Sequence, residues 1–211
     1  MTLFRSVAML VSLVLVPLTV AAAPPPEPMV EYSADSTMQT EGGMTMKSRV
    51  YHTPTKQRME MGGADGSVTI IRKDKKVVWQ VMGDMYMEMP LDQSNAPDMG
   101  GFDIQEQTEV GEETINGLKT TKTKIIATRP DGAKFGGFFW TTKEGVTVKM
   151  DLLSKDGDKK MRMASELTNV KIEKQDSALF EVPAGATKND MGAMMGQGGM
   201  PNMEEMMKNA G

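Results

Sequence analysis

The chain has 211 residues and a formal net charge of −4 at pH 7, so it lacks the basic surface that nucleic-acid binding requires. It contains no cysteine, which excludes disulfide bonds, thiolate-bound zinc and thiol catalysis. Methionine is abundant instead, with 23 Met against one His and two Trp. Thioether side chains are both flexible apolar groups and soft metal ligands, so this composition predicts either an adaptable apolar surface or a copper site.

Residues 1–22 are predicted to be a secretory signal peptide. Arg5 provides a positive charge before the apolar run 7–20, and residues 21–23 are the small alanines that precede a cleavage site. The run is short for a membrane-spanning helix and contains Pro17. Cleavage near residue 22 therefore predicts a periplasmic protein, and no cysteine follows that could carry a lipid anchor.

Residues 23–29 are predicted to form a proline-rich leader, and residues 30–187 one all-β domain. Apolar and polar residues alternate with period two through most of the domain, and pairs such as Asp131-Gly132 are typical of hairpin turns. This pattern predicts a meandering antiparallel sheet of about ten strands with little helix. The predicted strands are 30–40, 44–52, 57–61, 67–72, 77–82, 85–89, 118–127, 135–142, 146–153 and 160–173. Residues 91–108 are predicted to be an irregular connection.

The alternation also predicts that one face of the sheet is apolar and rich in methionine. Each apolar side chain removed from water contributes ~1.5–3 kcal/mol, so leaving a dozen exposed is a severe liability. The sequence contains no long amphipathic helix that could cover this face. The face is therefore predicted to close on itself, to pair with another subunit or to hold an apolar guest in a trough. The predicted trough residues are Met44, Met46, Val50, Met59, Met61, Trp79, Met85, Met87, Met89, Val148, Met150, Met161 and Met163.

Four short motifs occur in a familiar order: VYHTPTKQRMEM at 50–61, DKKVVW at 74–79, MYMEMP at 85–90 and LFEVPAG at 179–185. Over residues 30–188 the chain resembles the periplasmic outer-membrane lipoprotein carrier (Lol-type) superfamily, in a branch with a Met-rich C-terminal tail. The resemblance implies an incomplete antiparallel β-barrel, a strongly curved meander sheet that shelters acyl chains beneath a helical lid. It also implies a lipid or lipidated protein as ligand and a transient partner in the outer or inner membrane. Thr53 stands where the transport proteins carry an arginine, so the resemblance implies apolar-ligand binding rather than lipoprotein transport.

No catalytic site and no cofactor are predicted. The lone His52 is assigned to the polar surface of a strand, without a partner at a fixed spacing, and no phosphate loop or calcium loop is present. We therefore expect a carrier or chaperone-like binding protein rather than an enzyme. A non-catalytic interaction scaffold of unknown oligomeric state is the alternative.

Residues 188–211 are predicted to be a Met/Gly-rich tail, disordered except for a short helix that begins at Pro201. Three roles stay open for it: an inert tail, a helix that docks on the apolar face or on a partner, and a Cu(I) site. Soft thioethers suit Cu(I), and Met85, Met87 and Met89 also recur at ~6.6 Å along one strand face. The tail residues of the copper alternative are Met191, Met194, Met195, Met200, Met203, Met206 and Met207.

Overall fold

The computed structural model describes residues 27–62, 66–93, 103–129, 132–156 and 159–189. Within these ranges the chain forms one sheet of 12 strands, with 3-10 turns at Leu91–Gln93 and Ser177–Phe180. The strands are β1 (Tyr32–Thr40), β2 (Thr45–Thr53), β3 (Lys56–Met61), β4 (Val68–Arg72), β5 (Val77–Met82), β6 (Met85–Pro90), β7 (Asp103–Ile115), β8 (Leu118–Thr128), β9 (Lys134–Thr141), β10 (Thr147–Asp156), β11 (Lys159–Ile172) and β12 (Thr187–Lys188). The predicted all-β class is confirmed.

The sheet consists of two meanders joined in the middle. Strands β1–β6 pair consecutively as antiparallel neighbours, and so do β7–β11. The two halves meet where β1 pairs with β11, and β12 adds a short parallel edge beside β6. The described strands end at β12 on one side and β7 on the other, and these two do not pair with each other. The sheet is therefore an incomplete barrel, as predicted, although its order is not one continuous meander.

The prediction that residues 91–108 are irregular is wrong in part, because β7 begins at Asp103. This strand lies at the edge of the sheet and pairs only with β8, so it has no buried face to mark it with apolar residues. Register shifts at Ile104/Glu106 and at Glu109/Gly111 also interrupt its alternation. An edge strand with two bulges thus lacks the period-two signal on which the prediction depended.

The described core consists of three apolar clusters. One gathers Tyr32, Ala34 and Val148 near the centre of the sheet, where the two meanders meet. A second lies on β8 and β9 and includes Ile125, which is fully buried. The third lies on β4 and β5 around Phe180, which is also buried. Aliphatic and aromatic residues form these clusters, and methionine contributes to the described core only at its margin, through the half-buried Met150.

His52 is buried rather than exposed, contrary to the sequence-based assignment. Its position on β2 is opposite Tyr32 on β1, which places the imidazole on the same face as Val50. The two rings stack with their centroids 4.9 Å apart, and the Nδ1 atom lies 3.3 Å from the Val30 carbonyl oxygen. Burial lowers the pKa of His52, and the charge of Lys73 acts in the same direction, whereas Glu27 and the Val30 carbonyl oppose it.

This burial predicts that the free energy of unfolding depends on pH below the ordinary pKa of histidine, about 6.5. Below about pH 6.5 the unfolded state takes up a proton that folded His52 resists, so stability falls as the pH falls. The chain has no other histidine, so His52→Gln should flatten this slope. Urea unfolding at a series of pH values measures both proteins. An equal slope in the wild type and the variant would contradict the burial of a neutral imidazole.

Candidate functional site

One face of the sheet carries most of the described methionines, and we call it the methionine face. Directly opposed residues of antiparallel strands lie on the same face, so the register assigns each side chain. Met46 lies opposite Met38, and Met85 lies opposite Met82. Following the register from strand to strand gives the full set: Met38, Met46, Met59, Met61, Met82, Met85, Met87, Met89, Met150, Met161 and Met163.

No methionine of this face is buried in the part of the chain that the structure describes. Met161 is 56% exposed and Met85 is 45% exposed, whereas Met46, Met59 and the other central members are half-buried. Residues of the same face that do pack fully are of other types, such as Val78 at 3% and Ile125 at 0% exposure. The methionines therefore occupy the accessible part of the apolar face.

The opposite face of β3–β6 is covered by residues 177–182, which we call the C-terminal strap. Phe180 of the strap is 1% exposed and packs in a cluster with Ile70, Trp79 and Val81. Leu179 and Val182 contact the same cluster from the strap. The motif LFEVPAG, from which the resemblance was partly drawn, therefore supplies the apolar residues that close this face.

Two arginines fix the strap by donating hydrogen bonds to its backbone. Arg58 Nη1 donates to the Leu179 carbonyl oxygen at 3.0 Å, and Arg72 Nη1 donates to the Phe180 carbonyl oxygen at 3.0 Å. Arg72 also pairs with the carboxylates of Asp74 and Glu181. The hydrogen bonds from Arg72 lower the pKa of Asp74 to about 2. The guanidinium of Arg72 is thus held between the sheet and the strap with its donors satisfied.

Charged residues of β8–β11 also lie on the face opposite the methionines. Lys122 pairs with Glu113 at 2.9 Å, and Arg162 pairs with Asp151 at 2.6 Å. The hydrogen bond from Lys122 lowers the pKa of Glu113, and the Trp140 indole donates a second hydrogen bond to that carboxylate at 2.7 Å. The two faces of this half of the sheet therefore differ sharply in polarity.

Four of the predicted trough residues are not on the accessible part of the methionine face, and one of them is Val50, which is buried at 7% exposure. The placement of Trp79 with the methionines is wrong, because it lies opposite Glu88, donates to that carboxylate at 2.8 Å and packs under the strap. Alternation along β5 puts Val78 and Gln80 on the methionine face instead. Val148 is fully buried in the central cluster. Met44 lies before β2 in the turn and is 62% exposed.

The remaining predicted residues do share the methionine face, and the register adds two that the prediction missed. Met38 stands among the polar residues Ser36 and Thr40, so the alternation of β1 gave no apolar signal. Met82 is the last residue of β5 and lies opposite Met85 in the β5–β6 hairpin. The period-two alternation of polar and apolar residues cannot be recognised at the end of a strand. Hairpin pairing across Gly83-Asp84 was the signal that could have identified Met82.

The described residues contain no group of three or more His, Cys, Asp or Glu that could hold a metal ion. The methionines of the copper alternative, Met191–Met207, lie outside the described ranges, so that alternative stays a prediction. Within those same ranges, no helix is both long and apolar enough to span a membrane.

No protein-family model and no curated protein matches the sequence. A structure of MucB matches with a TM-score of 0.51 and 10% identity, over 76% of this chain and 60% of that one. The MucA/MucB complex of Pseudomonas aeruginosa gives a TM-score of 0.49 and 10% identity, over 76% of this chain and 58% of that one. A putative outer membrane lipoprotein-sorting protein domain from Vibrio parahaemolyticus gives 0.39 and 8%, over 72% and 89%.

The match to MucB is a likeness of fold. Identities this low show the fold alone, and this chain spans about three-fifths of the length of MucB. The likeness assigns no activity to the methionine face. Its function must be argued from the geometry of the face itself.

Because the strap covers only one face, truncating an apolar side chain should lower the free energy of unfolding more on the covered face than on the methionine face. Phe180→Ala should lower the free energy of unfolding by about 3–5 kcal/mol, because a fully buried ring leaves a cavity. Met87→Ala should lower it by less than about 2 kcal/mol, since Met87 is only half-buried. Urea denaturation followed by tryptophan fluorescence measures both. Equal losses would contradict the division into a covered face and an accessible face.

Proposed function

We propose that this protein is a periplasmic binding protein that holds a lipid acyl chain, or another apolar molecule, in a trough on its methionine face. The observation that carries the proposal is the accessibility of that face. Its methionines extend over both halves of the sheet, and none of those that the structure describes is buried. The ligand would replace the water that these side chains otherwise contact.

Methionine suits a ligand whose shape varies. Its unbranched side chain has three rotatable bonds and a polarizable sulfur, so a methionine wall can adjust to a chain that bends. More rigid side chains form the buried part of the same face, as in the cluster of Ile125 and Phe139. This division supports a packed framework with an adaptable surface attached to it.

The expected affinity follows from the area that such a face can bury. Burial of about ten methylenes contributes ~8 kcal/mol at ~0.8 kcal/mol each. Association and ordering of the chain oppose this by several kcal/mol, so binding no tighter than the micromolar range is expected. Such an affinity suits a carrier or chaperone-like protein, which must release what it binds.

The fold is compatible with this role without establishing it. Solved structures of MucB include a complex with MucA(peri), which is a protein ligand of MucB. For this chain we propose a lipid or a lipidated protein as the ligand. The proposal rests on the methionine face, because the structural likeness extends to the fold alone.

Displacement of a fluorescent fatty acid tests the proposal, and native mass spectrometry of gently purified protein shows whether a ligand is carried. Replacing Met59 and Met87 together by Gln keeps the side-chain length but makes the face polar, and should weaken binding about tenfold. Leu153→Gln is the matched control, since Leu153 is 48% exposed and lies on the opposite face of β10. The Leu153→Gln variant should bind the fatty acid with the affinity of the wild type.

A protein that carries no ligand and leaves the probe unbound would overturn the proposal. Equal weakening by the methionine pair and by Leu153→Gln would also overturn it, because binding would then not reside on one face. Light scattering on the same samples distinguishes a third case. A stable dimer whose variants at Met59 and Met87 dissociate would show that a second copy covers the face.

A further inference from the structure

The position of β12 determines where the chain leaves the described sheet. Thr187 donates its backbone N–H to the Asp84 carbonyl oxygen at 2.8 Å, and Asn189 donates to the Tyr86 carbonyl oxygen at 2.7 Å. Because β12 runs parallel to β6, the chain at Asn189 is heading along the edge towards Met87 and Met89. Residues 190–211 therefore begin beside the edge of the methionine face.

The remaining chain is long enough to reach the middle of that face. A random coil of about 11 residues, the number between 190 and 200, has an end-to-end distance of ~18 Å. The step from β6 to β3 covers three strand spacings, or ~14 Å. Residues 201–208 can therefore lie over β3–β6 without strain in the linker.

The chemistry of residues 201–208 matches the surface within its reach. Pro201 begins a predicted short helix that puts Met203, Met206 and Met207 on one side. A helix of about eight residues is too short to be stable alone in water, so it needs a surface on which to dock. The opposite face of β3–β6 is already occupied by the strap. The methionine face is the apolar surface that stays accessible on those strands.

We propose that residues 201–208 dock on the methionine face over β3–β6, and that an apolar ligand displaces them. The tail is then a built-in competitor that shields the face when no ligand is bound. Docking is inferred from the geometry of β12 and of the methionine face. Displacement of the tail by an apolar ligand rests on the proposed function. A ligand binds only the molecules in which the tail is undocked, so the apparent affinity is the intrinsic affinity multiplied by the undocked fraction.

A spin label on the tail tests docking directly. The chain has no cysteine, so Asn209→Cys gives a single attachment site for a nitroxide in the full-length protein. Methionine methyl signals of Met59 and Met61 should be broadened by the label, although β3 lies well inside the sheet edge. Met203→Ser, Met206→Ser and Met207→Ser together should abolish this broadening. The same three changes at Met191, Met194 and Met195 should leave it intact and serve as the control.

Lauric acid binding, measured on the same proteins, separates docking from the proposed function. The variant at Met203, Met206 and Met207 should bind about tenfold more tightly than the wild type, as a docked fraction of about nine-tenths predicts. Unbroadened Met59 and Met61 signals would overturn docking, even if lauric acid binds. Broadened signals in a protein that does not bind lauric acid would support docking and overturn the proposed function instead. Equal affinity of the two proteins would overturn displacement.

Discussion

The packing of Phe180 against Ile70 and Trp79 is the interaction on which the rest of the structure depends. It fixes the C-terminal strap on one face of β3–β6, with Arg58 and Arg72 donating to the strap backbone. A sheet has two faces, and once the strap covers one of them the other must be covered by something else. The strap therefore defines the methionine face as the surface that is available for binding.

The residue types on the two faces follow from the difference between a face that is covered by the strap and a face that is accessible. The covered face uses rings and β-branched side chains, which have few rotamers and pack uniquely. The accessible part of the methionine face uses methionine, which loses more conformational entropy when it is held in one arrangement. A protein that needed only a stable core would gain nothing from that choice. An adaptable surface gains the ability to contact ligands of differing shape.

Much of this arrangement could be predicted from the sequence because alternation is a local property. Strands β1–β6 and the face shared by Met85, Met87 and Met89 follow from period two alone. The strap could not be placed by the same means. Its contact with Trp79 joins segments that lie about a hundred residues apart, and no local pattern records which face a distant segment covers. Trp79 was therefore assigned to the wrong face.

The errors at His52 and β7 have other causes. His52 was judged by its polarity, although alternation along β2 already places it on the same face as Val50, where it lies opposite Tyr32. The edge strand β7 carries no buried face, and its bulges shift the register, so neither composition nor period identified it. Pairing of β1 with β11 is equally invisible in sequence, since it joins the two ends of the domain.

Mapping methionine oxidation by mass spectrometry tests the central claim most directly, because sulfoxide formation reports the accessibility of each thioether separately. In the variant that carries Met203→Ser, Met206→Ser and Met207→Ser, dilute peroxide should oxidise Met85 and Met89 readily when no ligand is present, and a bound fatty acid should protect both. Met29 precedes the sheet and is 76% exposed, so it should react equally with and without ligand. Bound fatty acid that leaves the rates at Met85 and Met89 unchanged would contradict the assignment of the methionine face as the binding surface.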